Sequence, residues 1–264
     1  MCRPGKTGMT GKICTAGKNC GAGKIGGAGR ATIFLDRDGT LNEEVHYLHR
    51  TEDLRFLPTV IEALRLWNQA GFRVVVVTNQ AGVARGYYSE EDVRKLHEYM
   101  NRLLAAKGAH IDRFYYCPHH PEHGVGAYKK QCRCRKPDTG MFEQAERDEA
   151  VDKEHSYMIG DKWIDIESGF RFGLTTALVG TGYGKEMFDE YQNRDKVQGR
   201  TEAVKEGLGY FGDTLLDVAR WILDREQAVS DRGQAVSCRE QAVSDRGQAV
   251  SDREQAMPDR EIRR

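Results

Sequence analysis

Five short apolar runs rich in β-branched residues alternate with amphipathic stretches, and this alternation leaves the chain very few folds. The runs cover 31–35, 72–77, 111–116, 155–159 and 175–179. Each reads as a buried strand, being too short for a helix and continuously apolar. Between them, 58–70 begins with Pro58 in its first turn and stops before Gly71, while 89–107 begins with Ser89 followed by Glu90, Glu91 and Asp92. Both carry helix start and stop signals. The stretches 138–150 and 163–172 show the same spacing, and 213–223 reads as a closing helix. Regular alternation of strand and helix predicts an α/β domain, a doubly wound parallel sheet with helices on both faces. Ligands of such sheets bind beyond the carboxyl ends of the strands. Chemistry is therefore expected in the residues just after each run.

Asp36-Arg37-Asp38-Gly39-Thr40 follows the first run, Thr78 and Asn79 the second, and Gly160-Asp161 the fourth, with Asp165 one helical turn further on. The loop after the third run closes on Arg135-Lys136-Pro137. Carboxylates at i and i+2 leaving a strand can face the same side, and Gly39 permits a tight turn after them. Each string alone is ambiguous: Asp-Xaa-Asp-Gly also forms turns and calcium loops, and Thr-Asn also caps helices. In this order at four strand ends they bring a nucleophile, an acid/base, neutral donors and cations to one locus. Phosphoryl transfer requires that set.

The strings Asp-Arg-Asp-Gly-Thr-Leu, Thr-Asn-Gln-Ala-Gly-Val-Ala-Arg-Gly, Cys-Arg-Cys-Arg-Lys-Pro and Ile-Gly-Asp-Lys resemble the four motifs of the capless, Rossmann-like phosphatases of the haloacid dehalogenase (HAD) superfamily. They look most like the heptose-bisphosphate phosphatase family, with the histidinol phosphatases close relatives, and the resemblance runs from about Ala31 to Gly184. It implies Asp36 as nucleophile, Asp38 as general acid/base, and Thr78 and Lys136 as stabilisers of the phosphoryl group. It further implies Arg135 in substrate recognition and Asp161 as a ligand of Mg²⁺. The chemistry agrees: a carboxylate can attack phosphorus to give an acyl phosphate, dividing one hard displacement into two. Mg²⁺ on Asp36, Asp161 and the main-chain carbonyl of Asp38 would offset the repulsion between nucleophile and dianion. No insertion of cap size separates the first three runs, so short loops must shape the site. Substrate contacts are expected from Glu44, His46, Tyr47, Asn79, Gln80, Arg85, Arg135 and Lys162, with Arg85 or Arg135 on a second phosphate. His46 stands where the resembled family has glycine.

Cys117-Pro118-His119 and Cys132-Arg133-Cys134 offer three thiols and an imidazole, enough for a tetrahedral Zn²⁺ shell. The pairs are tighter than usual zinc-finger spacing, buried free cysteines are the alternative, and His120 and His123 are rival ligands. The resembled family carries zinc in this loop, which implies Cys117, His119, Cys132 and Cys134 as its ligands. A closed shell of four would make the zinc structural.

Residues 1–30 hold nine glycines, six Lys or Arg and no acid, a composition expected to stay disordered. Their Gly-Lys pairs fit no phosphate-binding GxxxxGK[ST] string. From Arg225 a heptapeptide, Arg-Glu-Gln-Ala-Val-Ser-Asp, recurs with small changes. Its adjacent Ala-Val pairs do not make a coiled-coil seam, so a polar tail is expected. The expected organisation is a tail (1–30), a phosphatase domain (31–224) and a repeat tail (225–264). Forty basic and forty acidic residues leave a formal net charge of zero, which gives no polyanion-binding signature. No apolar run has the length of a membrane span or the form of a signal peptide. The expectation is a cytoplasmic, monomeric enzyme acting on a small phosphorylated sugar, with no nucleic-acid or membrane partner. Histidinol phosphate (with Glu43 and Glu44 as the acids near its amine), a polynucleotide 3′-phosphate, and a non-enzymatic interaction protein are the alternatives.

Overall fold

The computed structural model of the 264-residue chain describes residues 29–192 and 207–232. They form one six-stranded, wholly parallel sheet in the order β3-β2-β1-β4-β5-β6. The strands are β1 Thr32–Leu35, β2 Arg73–Asn79, β3 Arg113–Cys117, β4 Tyr157–Gly160, β5 Thr175–Val179 and β6 Leu208–Gly212. The helices are α1 Val60–Gln69, α2 Ala81–Ala84, α3 Glu90–Ala105, α4 Gly140–Asp148, α5 Trp163–Phe172, α6 Gly184–Gln192 and α7, 215–232.

Side chains alternate between the faces of the sheet. Ile33 and Leu35, beside Val74 and Val76, join a core with Leu64 and Trp67 of α1, Leu96 and Met100 of α3, and Val218 and Ile222 of α7. Phe34, Val75 and Val77 face the other way, against Met141 and Phe142 of α4 and Phe172 of α5. Each fully buried side chain of this kind stabilises the fold by about 1.5–3 kcal/mol. Strand order reverses at β1 and β4, and a crevice opens beyond their carboxyl ends.

Two strands begin two residues later than their apolar runs suggest, and in both a side chain stands in for the ladder. Asp112 Oδ2 accepts from Val74 N at 2.8 Å before β3, and Ser156 Oγ accepts from Thr32 N at 2.9 Å before β4. The sheet also contains β6, unanticipated because Leu-Gly-Tyr-Phe-Gly is broken by two glycines. Helix α6 was likewise unanticipated; its Met187, Phe188 and Tyr191 pack onto Trp163, Ile166 and Leu178. The closing helix runs on past 223 to 232. Expectations for 1–28 and 233–264 lie outside the described residues. Among the described residues no helix is long and apolar enough to cross a membrane.

Candidate active site

Main-chain pairing carries Asp36 to the crevice: its N–H donates to Ile159 O at 2.9 Å, continuing the register of β1 on β4. Lys136 arrives from the loop after β3 with its Nζ 2.7 Å from Asp36 Oδ1 and 2.7 Å from Asp165 Oδ1, and it donates to Val77 O at 2.7 Å. Asp161 ends the β4 side of the crevice, and Asp36, Asp161 and Asp165 each place an oxygen within 4.8 Å of the others. All four residues are buried.

Two ammonium groups, Lys136 and (3.6 Å from Asp161) Lys162, stand against three carboxylates, which leaves excess negative charge. Burial, then the charges of Asp36 and Asp165, push Asp161 up to about 7, against Lys162 and the Tyr183 N–H. Burial pushes Asp165 up to about 6, opposed first by Lys136. Burial works against the charge on Lys136, but Asp165 and Asp36 outweigh it and hold the ammonium above the usual lysine value. Asp161 Oδ1 is buried without a hydrogen-bond partner among the described residues. Gly39 and Gly182 close tightly around this carboxylate: a Cβ on either would lie 2.2 Å from Asp161 Oδ2. Hard oxygen ligands, an orphaned oxygen and surplus negative charge fit a small divalent cation. Asp165, expected near Asp161 but given no role from the sequence, enters the site from the first turn of α5, where its Oδ2 also accepts from the Lys162 N–H at 3.1 Å.

The carboxylate of Asp38 lies outside this cluster. Arg37 holds it through Nε at 3.0 Å and Nη2 at 2.8 Å, Asn42 Nδ2 donates to it at 2.9 Å, and Gln80 Nε2 at 3.1 Å. Burial alone would raise Asp38, yet the Arg37 charge and these hydrogen bonds bring it below the usual carboxylate range.

Two expected substrate contacts are turned inward. The Gln80 oxygen accepts from Arg37 at 3.2 Å and Tyr88 at 2.7 Å, and its nitrogen donates to Asp38 and, at 2.9 Å, to Thr78 Oγ1. That fills the capacity of an amide, so Gln80 orients its neighbours and offers substrate nothing. Asn79 spans the main chain of Lys136, accepting from its N–H at 3.0 Å and donating to its carbonyl at 3.1 Å. Its work is to hold the lysine. Thr78 is buried beside them.

Glu44 pairs with Lys162 at 3.3 Å, and Lys162 lies 3.6 Å from Asp161 and over the Tyr183 ring. His46 and Tyr47 both take left-handed backbone, with φ of 47° and 64°. Tyr47 is exposed, edge-on to Tyr87. Arg85 and Arg135 make no ion pair among the described residues; Arg135 Nη1 donates to His119 O at 3.3 Å. Burial, then the charge of Arg135 and, more weakly, of His123 and Arg85, hold His120 below its usual value.

Cys117, His119, Cys132 and Cys134 converge, with sulfur–sulfur distances of 3.2–3.5 Å and His119 Nδ1 3.3 Å from Cys134 Sγ. Four thiol and imidazole ligands on one centre can hold a metal ion. His120 is turned into its own loop, where its Nδ1 accepts from the N–H groups of Glu122 and His123. The Cys134 thiol is brought down to about 5, chiefly by hydrogen bonding to Cys117, which outweighs burial.

Known proteins place this architecture. A family model described as HAD-hydrolase-like matches residues 133–201, and one described as polynucleotide kinase 3 phosphatase matches residues 32–166. A D-glycero-beta-D-manno-heptose-1,7-bisphosphate 7-phosphatase from Haemophilus ducreyi is 46% identical over 155 residues, 58% of this chain and 85% of that protein. Its namesake from Haemophilus influenzae is 47% identical over 151 residues, 57% of this chain and 82% of the relative. This chain belongs to the heptose-bisphosphate 7-phosphatase family of HAD phosphatases. A crystal structure of the family, D,D-heptose 1,7-bisphosphate phosphatase from B. bronchiseptica complexed with magnesium and phosphate, is 30% identical, with a TM-score of 0.62 over 74% of this chain and 99% of that one. Membership makes the chain a phosphomonoester hydrolase, and it agrees with the four strings and with the capless α/β fold. The polynucleotide phosphatase match falls on the same nucleophile-bearing half of the domain and adds no nucleic-acid feature to it.

Proposed function

We propose that this chain removes the 7-phosphate of D-glycero-D-manno-heptose 1,7-bisphosphate through an aspartyl phosphate on Asp36. The observation that carries the reading is the buried set Asp36, Lys136, Asp161 and Asp165 at the strand-order switch of a chain from this family. Asp36 and Asp161, with Asp165 and the main-chain carbonyl of Asp38, would hold Mg²⁺, which when bound supplies positive charge beside the nucleophile and the phosphoryl oxygens. Asp36 attacks phosphorus while Lys136 and the Thr78 hydroxyl offset charge on the transferring oxygens. Asp38, an anion in the free enzyme, takes up a proton from solvent as the substrate dianion arrives and gives it to the departing sugar oxygen, then takes one from the water that hydrolyses the acyl phosphate. Arg85 and Arg135, two cations without ion pairs among the described residues, suit the 1-phosphate. Zn²⁺ is the metal that three cysteines and one histidine suit best, in a structural role. A reducing cytoplasm would keep those thiols free to ligate it, and the protein would act there as a monomer.

Phosphate release with Mg²⁺ should be measured on the α- and β-anomers of the heptose bisphosphate, with histidinol phosphate and a 3′-phosphorylated oligonucleotide in parallel. Strong preference for the bisphosphate, leaving the sugar 1-phosphate, is expected. Equal or faster release from either comparator would overturn the substrate assignment. Asp36→Asn should abolish turnover in a folded protein, and wild-type rates in that variant would remove the nucleophile.

A further inference from the structure

Asp38 is gripped by a guanidinium that is itself gripped. Arg37 has no solvent exposure and directs N–H groups at Asp38, at Leu48 O (3.1 Å), at Gln80 Oε1 (3.2 Å) and at His97 Nε2 (3.3 Å). These partners come from the loop after β1, the end of β2, and α3. His97 is buried, with its ring stacked on Phe114 at 4.4 Å and edge-on to Tyr116 at 6.0 Å. It therefore cannot turn away. Burial and the neighbouring Arg37 charge, against a smaller pull from Asp38, hold the imidazole well below its usual value, which keeps it neutral with Nε2 free to accept. Neither His97 nor Arg37 has a part in the reaction as derived above.

We propose that His97 and Arg37 form a positioning relay for the acid/base: His97 fixes the guanidinium, and the guanidinium fixes the Asp38 carboxylate. The relay rests on Asp38 as the proton carrier of the proposed reaction. In the first step Asp36 bonds to phosphorus, the ester P–O bond breaks, and the Asp38 proton passes to the leaving oxygen. A sugar alkoxide needs that proton; p-nitrophenolate leaves without it. A misaimed Asp38 should thus slow phosphoryl transfer from an alkyl ester and spare transfer from an aryl one, whereas general damage to the fold would slow both.

The test is single-turnover release of the first product by the full-length, Mg²⁺-loaded protein, from heptose bisphosphate and from p-nitrophenyl phosphate. His97→Phe should lower the first rate by ~10- to 100-fold and the second by less than ~3-fold, the range lost when a general acid is mispositioned. His97→Gln, whose amide oxygen can accept in place of Nε2, should recover most of the alkyl rate. If His97→Phe fails to fold, Arg37→Lys carries the same comparison, since it keeps the charge and loses the fork. Equal losses on both esters, or none on the alkyl ester, would overturn the relay. Asp38→Asn separates the two ideas. Selective loss in Asp38→Asn without it in the His97 variants removes the relay alone; no selective loss in Asp38→Asn removes the acid/base reading and the relay with it.

Discussion

His46 carries a left-handed backbone, φ 47°, on a β-carbon-bearing residue. That conformation costs an ordinary L-residue about 1–2 kcal/mol, part of which glycine would return as extra freedom in the unfolded chain. His46→Gly is therefore expected to stabilise the protein by ~0.5–1 kcal/mol in urea unfolding; a loss would show that the imidazole makes a contact worth more than the strain. Asp161 and Asp165 make a second prediction at this scale. Their folded values, about 7 and about 6, stand above the ordinary 3.8. The folded chain then holds protons that the unfolded chain has released, so their contribution to stability is present at low pH and is lost as pH rises through about 7. A divalent cation binds the ionised carboxylates and reverses that loss. The thermal shift produced by Mg²⁺ should accordingly be larger at about pH 7.5 than at about pH 5.5. Equal shifts would mean the carboxylates are already ionised at the lower pH. Asp36, Asp161 and Lys136 were legible in the sequence because each directly follows a strand or closes a strand-end loop. Asp165 and Gln80 were named from the sequence, but the ion pair of Asp165 with Lys136, the inward hydrogen bonds of Gln80 and the contact of His97 with Arg37 were not legible, because each depends on which neighbour a side chain meets across the fold.

Lys136 and Arg135 are adjacent in sequence but differently supported, and the elements around them explain how. Asn79, at the end of β2, takes both main-chain groups of Lys136. Arg135 is held through His119 O, on the cysteine cluster. The loop carrying that cluster is pinned elsewhere as well. Val125 N donates to Ala84 O at 2.8 Å, and Tyr128 OH donates to Glu90 on α3 at 2.8 Å. Removing the metal, by chelation or Cys132→Ser, should thus displace Arg135 more than Lys136. KM for the bisphosphate should rise about tenfold, the worth of one charge-assisted contact, while kcat falls less. Equal losses in both would place Lys136 under the control of the cluster too. Most elements were legible from the sequence for the same reason that they are stable: the Val74–Val77 run is buried on both faces and reads as nothing but a central strand. The starts of β3 and β4 escaped because Asp112 and Ser156 replace main-chain partners with side chains, which periodicity does not register.

At the scale of the whole molecule, the boundary drawn at 224 cuts through an element. Helix α7 continues to 232, and Glu226, in the first repeat unit, accepts from His155 Nδ1 at 2.6 Å and from the buried Tyr157 hydroxyl. His155 leads into β4, the strand directly followed by Asp161, and Tyr157 opens it. Composition drew the boundary where the repeats begin, and composition carries no information about a single glutamate reaching back to the sheet. A chain ending at Asp224 would leave the Tyr157 hydroxyl unpaired in the interior and His155 without its carboxylate. Hydrogen bonds to a charged group contribute about 1.5–3 kcal/mol each, so a loss of ~2–4 kcal/mol is expected after partial rehydration. For a domain of this size that lowers Tm by roughly 5–10 °C. A chain ending at Arg232 keeps Glu226 and should melt with the full-length protein, and Glu226→Gln, which retains an acceptor, should fall between them. If the chains ending at 224 and 232 melt together, Glu226 contributes nothing and the repeats begin where folding ends. If the 232 chain instead melts well below full length, stabilising contacts extend into 233–264, and comparing the sedimentation of the two would show whether those contacts are made within one chain or between two.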